Sequence, residues 1–475
     1  MTVLAIDQGT SATKALIVAD DGEVLSLAET PVTVLAGADG AVELDPEDLW
    51  ASVVSSATEA LRVAGNPRLR AIGLANQGET VLAWDRATGA PVGRAIVWQD
   101  RRSEAICERL RDHGPFLAQH TGLELDPYFV APKVVWLRDR VGGRPAITTT
   151  DTWMLHRLCG AFTTDVATAG RSLLLELDTG SWSDRACEIF GIDRSQLPDV
   201  VGNAEPLGEC SLFGGPVPVT GTCVDQQAAL YAEHCWSAGE AKCTYGTGAF
   251  MLACTGDKPT RSSNGLVGCP AWRIDEQLTY CLDGQVYTVG AVVSWLIAMG
   301  VMSEPADLDR LGATVDDTAG VTFVPALAGL AAPYWKPKAR AAFTGLTLAT
   351  ERGHLVRAAI EGIAAQVALL AHAAGRDLGS PLTRLRVDGG LTRSNLLLQA
   401  QADLLQAPVE VYPSPHATAL GVAGFADAGA SDTSLDRAGS KTRPAEVVIE
   451  PEIGADEAEE RLVAWRRVAS ATMDL

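Results

Sequence analysis

The sequence predicts an α/β protein made of two similar halves. The main observation is a repeated unit, in which an apolar strand, a loop of small polar residues, a second strand and a turn follow one another. This unit occupies residues 3–22 and recurs in residues 241–257. Each copy leads into a mixture of strand-like and helix-like segments, which is typical of α/β domains. The repetition indicates an internal duplication.

The chain length agrees with two domains. Its 475 residues exceed the roughly 100 to 200 residues of an ordinary domain. Because the pattern restarts near residue 235, we place the boundary there. The predicted N-terminal domain covers residues 1–235, and the predicted C-terminal domain covers residues 236–475.

The first half is predicted to open with a hairpin, followed by a helix. Asp-Gly at residues 21–22 suits the positive φ angles of a tight turn, so residues 15–18 and 24–27 should pair. Asp45 is placed to cap a helix that begins at Pro46. Apolar residues recur on one face of that helix at Leu49, Val53, Ala57 and Leu61. Further strands are predicted at residues 71–74, 80–84 and 95–98.

After its repeated unit, the second half is predicted to alternate helices and strands. A long amphipathic helix is indicated by Leu355, Ala359, Ile363, Val367 and Leu370. The segments that follow are a strand at residues 385–387, a helix at 395–405, a strand at 409–411 and a helix opening at 417–424. We expect residues 455–475 to form a charged terminal helix, with Leu462, Trp465 and Val468 facing inward.

Composition excludes several classes of protein. The net charge of −21, without any cluster of basic residues, argues against nucleic-acid binding. The ten cysteines contain no CxxC and the seven histidines no HxxH, so a zinc or iron–sulfur site is not indicated. We expect reduced, buried thiols in a cytoplasmic protein. The N-terminus does not resemble a signal peptide. Residues 284–303 lack charge, but we interpret them as a turn and a buried helix from about Ala291 rather than a membrane span.

Three glycine-containing segments suggest contact with an oxygen-rich ligand. In Asp7-Gln8-Gly9-Thr10-Ser11, an acid at a strand end precedes glycine and hydroxyl residues, which suits hydrated Mg²⁺ and phosphate. An ordinary hairpin turn would read the same way. Tyr245-Gly246-Thr247-Gly248 is a second such loop, and Asp388-Gly389-Gly390 is a third at a strand end. No GxxxxGK[ST] or GxGxxG motif occurs, so neither a P-loop nor a Rossmann site is supported.

The residues of these motifs and their order along the chain are similar to those of a known protein family. The most specific segments are Asp7-Gln8-Gly9-Thr10, Ala95-Ile96-Val97-Trp98-Gln99, Leu125-Asp126-Pro127-Tyr128-Phe129, Asp225-Gln226-Gln227-Ala228, Tyr245-Gly246-Thr247-Gly248, Ala332-Pro333-Tyr334-Trp335 and Val387-Asp388-Gly389-Gly390. On the basis of these segments, the chain resembles the FGGY family of carbohydrate kinases from residue 4 to about residue 467. Within this family it is most similar to the members that phosphorylate glycerol.

The resemblance implies an actin-like ATPase fold, in which two ribonuclease-H-like α/β domains enclose a central cleft. The polyol would bind the N-terminal domain, and ATP with Mg²⁺ the C-terminal domain. The reaction would transfer a phosphoryl group from ATP to a primary hydroxyl of a small polyol, with glycerol as the leading candidate and glycerol 3-phosphate as the product. The resemblance also implies a homo-oligomer, a dimer or a tetramer, in the cytoplasm.

Site residues follow from the resemblance position by position. Asp225 matches the general base, and Asp7 the residue that organises Mg²⁺ through water. The residues that match the substrate site are Glu79, Trp98, Tyr128, Asp225, Gln226 and Phe250. The residues that match nucleotide and phosphate contacts are Thr10, Ser11, Lys14, Thr247, Gly290, Ser294, Gly390 and Ser394.

Several positions depart from the glycerol-phosphorylating members. Gly78 stands where they carry Arg, which removes a charge-assisted hydrogen bond to a substrate oxygen worth roughly 1.5 to 3 kcal/mol. Lys14 stands in place of another Arg, while Ser294 and Ser394 replace amide side chains near the nucleotide. The departure at Gly78 leaves two substrates open: glycerol with weaker binding, or a longer polyol or ketose such as erythritol, a pentitol or xylulose.

Three other classes of function could use the same fold, and the sequence argues against each of them. An actin-like ATPase that moves a partner would share the fold, but it has no use for the hydroxyl-binding residues. A sugar-responsive transcription regulator would need a basic helix-turn-helix segment, which the sequence does not contain. The presence of Asp7, Thr247 and Asp225 argues against a catalytically dead sensor.

Overall fold

Two large twisted sheets flanked by helices form the protein. The computed structural model describes residues 2–37, 39–431 and 444–473. The strands of the first half are β1 Thr2–Gln8, β2 Ala12–Ala19, β3 Val24–Pro31, β4 Val34–Ala36, β5 Val42–Leu44, β6 Leu69–Asn76, β7 Val81–Trp84, β8 Ala95–Ile96, β9 Ala146–Thr149, β10 Thr163–Asp165, β11 Leu175–Glu176, β12 Ser181–Trp182, β13 Asp199–Val201, β14 Ala204–Cys210 and β15 Val217–Val224.

The helices of the first half lie between its strands, or directly after the last one, in the chain order. They are α1 Pro46–Val63, α2 Glu104–Arg109, α3 Gly114–Thr121, α4 Val130–Arg138, α5 Thr150–Cys159, α6 Val166–Ala169, α7 Asp184–Phe190 and α8 Asp225–Ala232. Short 3₁₀ helices lie at Arg111–His113 and Arg194–Gln196.

The second half has fewer and longer elements. Its strands are β16 Glu240–Tyr245, β17 Ala249–Gly256, β18 Val267–Ile274, β19 Gln277–Val286, β20 Thr322–Val324, β21 Ala342–Thr344, β22 Arg384–Asp388, β23 Val409–Val411 and β24 Val447–Ile449. Its helices are α9 Gly290–Ala298, α10 Asp307–Gly312, α11 Arg352–Leu378, α12 Asn395–Leu405, α13 Ala417–Gly429 and α14 Ala455–Thr472, with a 3₁₀ helix at Gly390–Arg393.

The two large sheets share a common core around the repeated unit, although the second sheet has one strand more. The first has the order β14-β15-β6-β1-β2-β3, and the second β18-β19-β17-β16-β22-β23-β24. In each, the first strand of the repeated unit pairs antiparallel with the second strand and parallel with a later one: β1 with β2 and β6, and β16 with β17 and β22. A five-stranded sheet, β4-β5-β8-β7-β9, is added to the first half.

Most sequence-predicted elements are present, with longer bounds. The helix at Pro46 is capped as expected, since the Asp45 carboxylate accepts a hydrogen bond of 2.9 Å from the Glu47 N–H. The strand predicted at residues 95–98 ends at Ile96. In the terminal helix, Leu462 and Trp465 are buried as predicted and Val468 packs beside them, while residues 474–475 lie outside the described part.

Helix α13 joins the two halves through a close backbone contact. It follows β23 in the second half, yet it packs against β1, β6 and β15 of the first sheet and against α8. A Cβ atom at Gly73 would lie 2.5 Å from the Val422 carbonyl oxygen, and one at Gly221 would lie 2.5 Å from the Ala426 nitrogen. Glycine at both positions therefore lets the helix approach the sheet. Residues of both halves share one core cluster here.

Helix α11 is long and apolar enough to cross a membrane by length and composition alone. Of its most apolar 18-residue window, 78% is buried inside the protein. The apolar stretch that the sequence analysis singled out lies elsewhere and forms the end of β19 and helix α9, close to the predicted turn and helix. All ten cysteines are free thiols, and nine of them are buried.

Candidate active site

A cavity of about 560 Å³ is lined by residues from both halves. It collects most of the residues that the sequence analysis assigned to catalysis, substrate and phosphate. Those that line it are Asp7, Thr10, Ser11, Lys14, Glu79, Trp98, Tyr128, Asp225, Gln226, Thr247 and Phe250. Sequence positions more than 200 residues apart therefore meet at one site.

The loops of the two repeated units contribute equivalent walls of the cavity. In the first half, the hairpin of β1 and β2 places Lys14 opposite Asp7, and the Gly9 N–H donates to the Ala12 carbonyl at 3.0 Å. In the second half, the Gly246 N–H donates to the Gly248 carbonyl at 2.8 Å, which leaves Thr247 exposed at the tip. Exposed backbone and hydroxyl groups of this kind suit phosphate oxygens.

Two carboxylates in and beside the cavity fit a hydrated Mg²⁺ ion. Burial raises the pKa of Asp7 to about 6, Lys14 lowers it, and Glu29 and Asp388 raise it further. Asp388 ends β22, and its buried Oδ1 has no hydrogen-bond partner among the described residues. Mg²⁺ commonly takes one or two carboxylates and keeps several waters. The donor set of Asp7 and Asp388 therefore suits this ion.

Asp225 stands at the first position of helix α8, where β15 ends. Its Oδ1 accepts a hydrogen bond of 2.7 Å from the Gln226 N–H. Burial raises the pKa of Asp225 to about 7, the charges of Asp7 and Glu79 raise it further, and Lys242 lowers it. A carboxylate with a pKa near neutrality is well suited to general-base chemistry.

Three aromatic rings form an apolar wall. The Trp98 ring lies edge-on to Tyr128 at 5.7 Å and to Phe250 at 6.1 Å, measured between ring centroids. Trp98 and Tyr128 come from the first half and Phe250 from β17 of the second. Such a surface can pack against the carbon face of a small polyol.

Thr10 connects the aromatic wall to the first loop. The Trp98 indole N–H donates to Thr10 Oγ1 at 2.9 Å, and the Thr10 hydroxyl donates to Gln77 Oε1 at 2.9 Å. Because the Thr10 side chain is engaged in both directions, its hydroxyl orients Trp98 in this structure. Contact between Thr10 and phosphate stays a prediction.

Glu79 belongs to a buried group of charges. Its backbone has a positive φ of 57°, which is uncommon for a residue with a side chain. Glu79 Oε1 accepts from Arg171 Nε at 2.6 Å, and Arg171 Nη1 lies 2.8 Å from Asp283 Oδ2. Burial raises the pKa of Glu79, and Arg171 is the main opposing influence.

Gln226 is held by a lysine of the second half. Lys242 is fully buried on β16, and its ammonium group donates to Gln226 Oε1 and, at 2.9 Å, to Thr244 Oγ1. The amide nitrogen of Gln226 remains the group that can face a ligand hydroxyl.

Four further residues assigned to the nucleotide lie around the second loop and are not among the residues that line the cavity: Gly290, Ser294, Gly390 and Ser394. The Gly290 N–H donates to the Gly246 carbonyl at 3.0 Å, so α9 begins against the loop. Ser294 is exposed on α9, where its hydroxyl donates to the Gly290 carbonyl at 3.2 Å. Gly290 and Ser294 thus form a surface beside Thr247.

Gly390 and Ser394 follow β22 on the other side of the loop. Gly390 is exposed, and a Cβ there would meet nothing within 4 Å, so a ligand could approach the backbone. The Ser394 hydroxyl, by contrast, bonds to the Asp309 carboxylate and caps helix α12 by accepting from the Leu397 N–H at 3.2 Å. Ser394 has a structural role here, and its contact with a nucleotide stays a prediction.

Gly78 lies in the cavity wall next to Glu79. A Cβ at this position would lie 2.9 Å from Val224 Cγ2, the end of a side chain that can move. A side chain here would therefore require Val224 to shift, and extra room for a longer substrate stays a prediction.

Sequence reasoning missed three charged residues of the site: Arg171, Asp283 and Lys242. Asp283 and Lys242 each stand within a buried strand, where an ionisable residue is unusual. That contrast is a signal that could have found them. Arg171 lies in a short turn after α6, and its local sequence carries no such signal.

Comparison with known proteins identifies the family of this chain. The model of the FGGY family of carbohydrate kinases, N-terminal domain, matches residues 2–232, and that of the C-terminal domain matches residues 241–430. A glycerol kinase of Thermus brockianus is 42% identical, with 91% of each chain covered. A glycerol kinase of Bordetella parapertussis is 41% identical, with 98% of this chain and 96% of that protein covered.

A solved structure shows the same fold. The glycerol kinase of Plasmodium falciparum with ADP superimposes with a TM-score of 0.93 at 31% identity, covering 99% of this chain and 98% of that one. Two family models that together span most of the chain, relatives above 40% identity and a shared two-domain fold lead to one conclusion. The chain belongs to the FGGY family of carbohydrate kinases.

Proposed function

We propose that this protein is an ATP-dependent glycerol kinase, converting glycerol and ATP into glycerol 3-phosphate and ADP. The observation that carries the proposal is the shared cavity, in which Asp225 lies together with the loops of both repeated units and a polar-and-aromatic pocket. The named activity of the relatives supports glycerol as the acceptor.

Glycerol would lie between polar and apolar surfaces. Glu79, Tyr128 and Gln226 offer hydrogen-bonding groups to its hydroxyls, and Trp98 and Phe250 pack against its carbon face. A triol needs several polar partners on one side and an apolar surface on the other. The N-terminal domain thus supplies most of the polyol site.

Asp225 would act as the general base. Its carboxylate accepts the proton of the primary hydroxyl while that oxygen attacks the γ-phosphorus, and ADP leaves as the bond to its β-phosphate oxygen breaks. Phosphoryl transfer depends mainly on alignment and charge stabilisation, so a positioned proton acceptor is sufficient. A pKa of about 7 leaves a substantial deprotonated fraction near neutral pH.

The phosphates would lie between the two loops. Ser11, Lys14 and Thr247 are placed to contact their oxygens, with Thr10 beside them, and Asp7 and Asp388 would hold Mg²⁺ through water. When bound, Mg²⁺ supplies positive charge that neutralises the phosphate oxygens. Gly290, Ser294, Gly390 and Ser394 would face the nucleoside side, so the C-terminal domain supplies most of the ATP site.

Cellular context is also proposed from the family. We propose a cytoplasmic homo-oligomer, a dimer or a tetramer, acting on a free polyol. The domain boundary near residue 235 falls between the two matched segments of the family models and stays a prediction.

A substrate panel tests the proposal. ADP release with Mg·ATP is measured against glycerol, erythritol, threitol, the pentitols, dihydroxyacetone, xylulose and ribulose. The highest kcat/KM with glycerol supports the proposal. A higher value with a longer polyol or a ketose would refute glycerol as the preferred substrate. Turnover that no acceptor increases would contradict the kinase assignment of this site.

A further inference from the structure

Three charged side chains form a buried ion triad across the two halves. We define the triad as Glu79, Arg171 and Asp283. Their side chains are 5%, 4% and 9% exposed, and Arg171 bonds to both carboxylates at 2.6 and 2.8 Å. Glu79 and Arg171 belong to the first half, whereas Asp283 comes from β19 of the second half. All three line the cavity.

The triad leaves one buried carboxylate oxygen without a hydrogen-bond partner among the described residues. Arg171 Nε uses Glu79 Oε1, and Arg171 Nη1 uses Asp283 Oδ2. Asp283 Oδ1 is buried and has no hydrogen-bond partner among the described residues. An unpaired buried carboxylate oxygen is costly unless a donor reaches it. A hydroxyl of a bound polyol is a donor of the right kind.

Stability does not explain this arrangement. Burying ions costs several kcal/mol each through desolvation, and apolar side chains of similar volume often give equal or greater stability. The triad also carries two carboxylates for one guanidinium, so one negative charge is not neutralised within it. Glu79 additionally adopts a positive φ, a backbone conformation that tends to occur at ligand sites. The unneutralised charge and the positive φ of Glu79 therefore favour a ligand-binding role for the triad.

We propose that Asp283 is a polyol-binding residue contributed by the second half, and that Arg171 is the positioning residue that fixes both Asp283 and Glu79 toward the substrate hydroxyls. This inference rests on the proposed polyol kinase activity and adds two residues to its substrate site. It means that polyol recognition needs both halves in their correct relative position.

Steady-state kinetics of four variants tests the inference. Asp283→Asn, Arg171→Gln, Glu79→Gln and the double variant of Arg171→Gln with Glu79→Gln are compared with the wild type. Asp283→Asn and Arg171→Gln should each raise KM for the polyol about 10- to 100-fold, the loss expected for one charge-assisted hydrogen bond. KM for ATP should stay unchanged. In the Glu79→Gln background, Arg171→Gln should cost less than in the wild type but should keep the share that acts through Asp283.

Matched variants separate positioning from folding. Arg384→Gln removes another arginine–carboxylate pair, with Glu240 at 2.9 Å, away from the cavity, and should leave both KM values unchanged. Arg171→Lys should restore part of the polyol affinity, since it keeps the charge but loses the fork that reaches two carboxylates. Thermal melting checks that each variant is folded. If Arg171→Gln does not fold, Asp283→Asn decides, because it keeps the bond between Arg171 and Glu79.

The outcomes distinguish this inference from the proposed function. If the wild type phosphorylates a polyol and Asp283→Asn has the wild-type KM for it, the inference is overturned while the kinase activity stands. Equal rises in the KM of ATP and polyol would also overturn it, since they indicate general distortion. If no polyol is phosphorylated by the wild type, both fail.

Discussion

Replacing Asp225 by Asn would remove the proposed base while keeping the shape of the side chain. The Asn Oδ1 can still accept from the Gln226 N–H, which bonds to Asp225 Oδ1 at 2.7 Å, so the start of α8 should be preserved. What is lost is the ability to take a proton from the attacking hydroxyl. General-base catalysis contributes about 10²- to 10⁴-fold, equivalent to roughly 3 to 5 kcal/mol of transition-state stabilisation.

The assay for this variant measures ADP release at saturating glycerol and Mg·ATP, with ATP binding followed separately by calorimetry. We expect kcat to fall by about 10²- to 10⁴-fold, with ATP affinity close to that of the wild type. Asp193→Asn, at the exposed start of the 3₁₀ helix Arg194–Gln196, is the matched control and should keep full activity. Loss of a general base should leave about a hundredth of the wild-type kcat or less. If Asp225→Asn retained more than about a tenth, Asp225 would not be the general base.

Three further predictions follow from the same site. Burial raises the pKa of Asp225 to about 7, and the base must be deprotonated, so kcat should decline as the pH falls through about 7. Lys242→Gln removes a charge that lowers this pKa and should move the decline to higher pH. An unshifted pH profile in this variant would contradict the role of Asp225 as the base. Gly78→Arg should lower KM for glycerol and reduce turnover of longer polyols in competition assays. Gly78→Ala, which adds a Cβ 2.9 Å from Val224, should not lower KM for glycerol. Equal KM values in the two variants would count against a lost hydrogen bond at residue 78. Trp98→Phe loses the 2.9 Å bond to Thr10 and should raise KM for the polyol about 2- to 10-fold, and a wild-type KM would show that this bond does not orient the wall.

The fold could be predicted well because its signals are local and repeated. The strand–loop–strand unit at the start of each half, the Asp45 cap and the periodic apolar faces each require only neighbouring residues. The bounds of α12 and β23 coincide with those predicted from the sequence. The packing of α13 on the first sheet could not be predicted, because it depends on glycines at residues 73 and 221 that are far from it in sequence.

The site was only partly predictable for a similar reason. Residues in recognisable motifs, such as Asp7, Asp225 and Thr247, lie together as expected. The pairing of Arg171 with Asp283 forms only when folding brings the two halves together. It could not be predicted, because each is a single charged residue in its local sequence. Ser394 matched a nucleotide contact, but its capping of α12 became visible only in the structure.

We propose above all that this cavity transfers the γ-phosphoryl group of ATP to a polyol hydroxyl. The most direct test is ³¹P NMR of the wild-type protein incubated with Mg·ATP and glycerol, with glycerol omitted as the control. We expect ADP and a phosphomonoester of the primary hydroxyl of glycerol to form in equal amounts, without accumulation of inorganic phosphate. ADP formed together with an equal amount of inorganic phosphate, whether or not glycerol is present, would contradict the claim and indicate an ATPase.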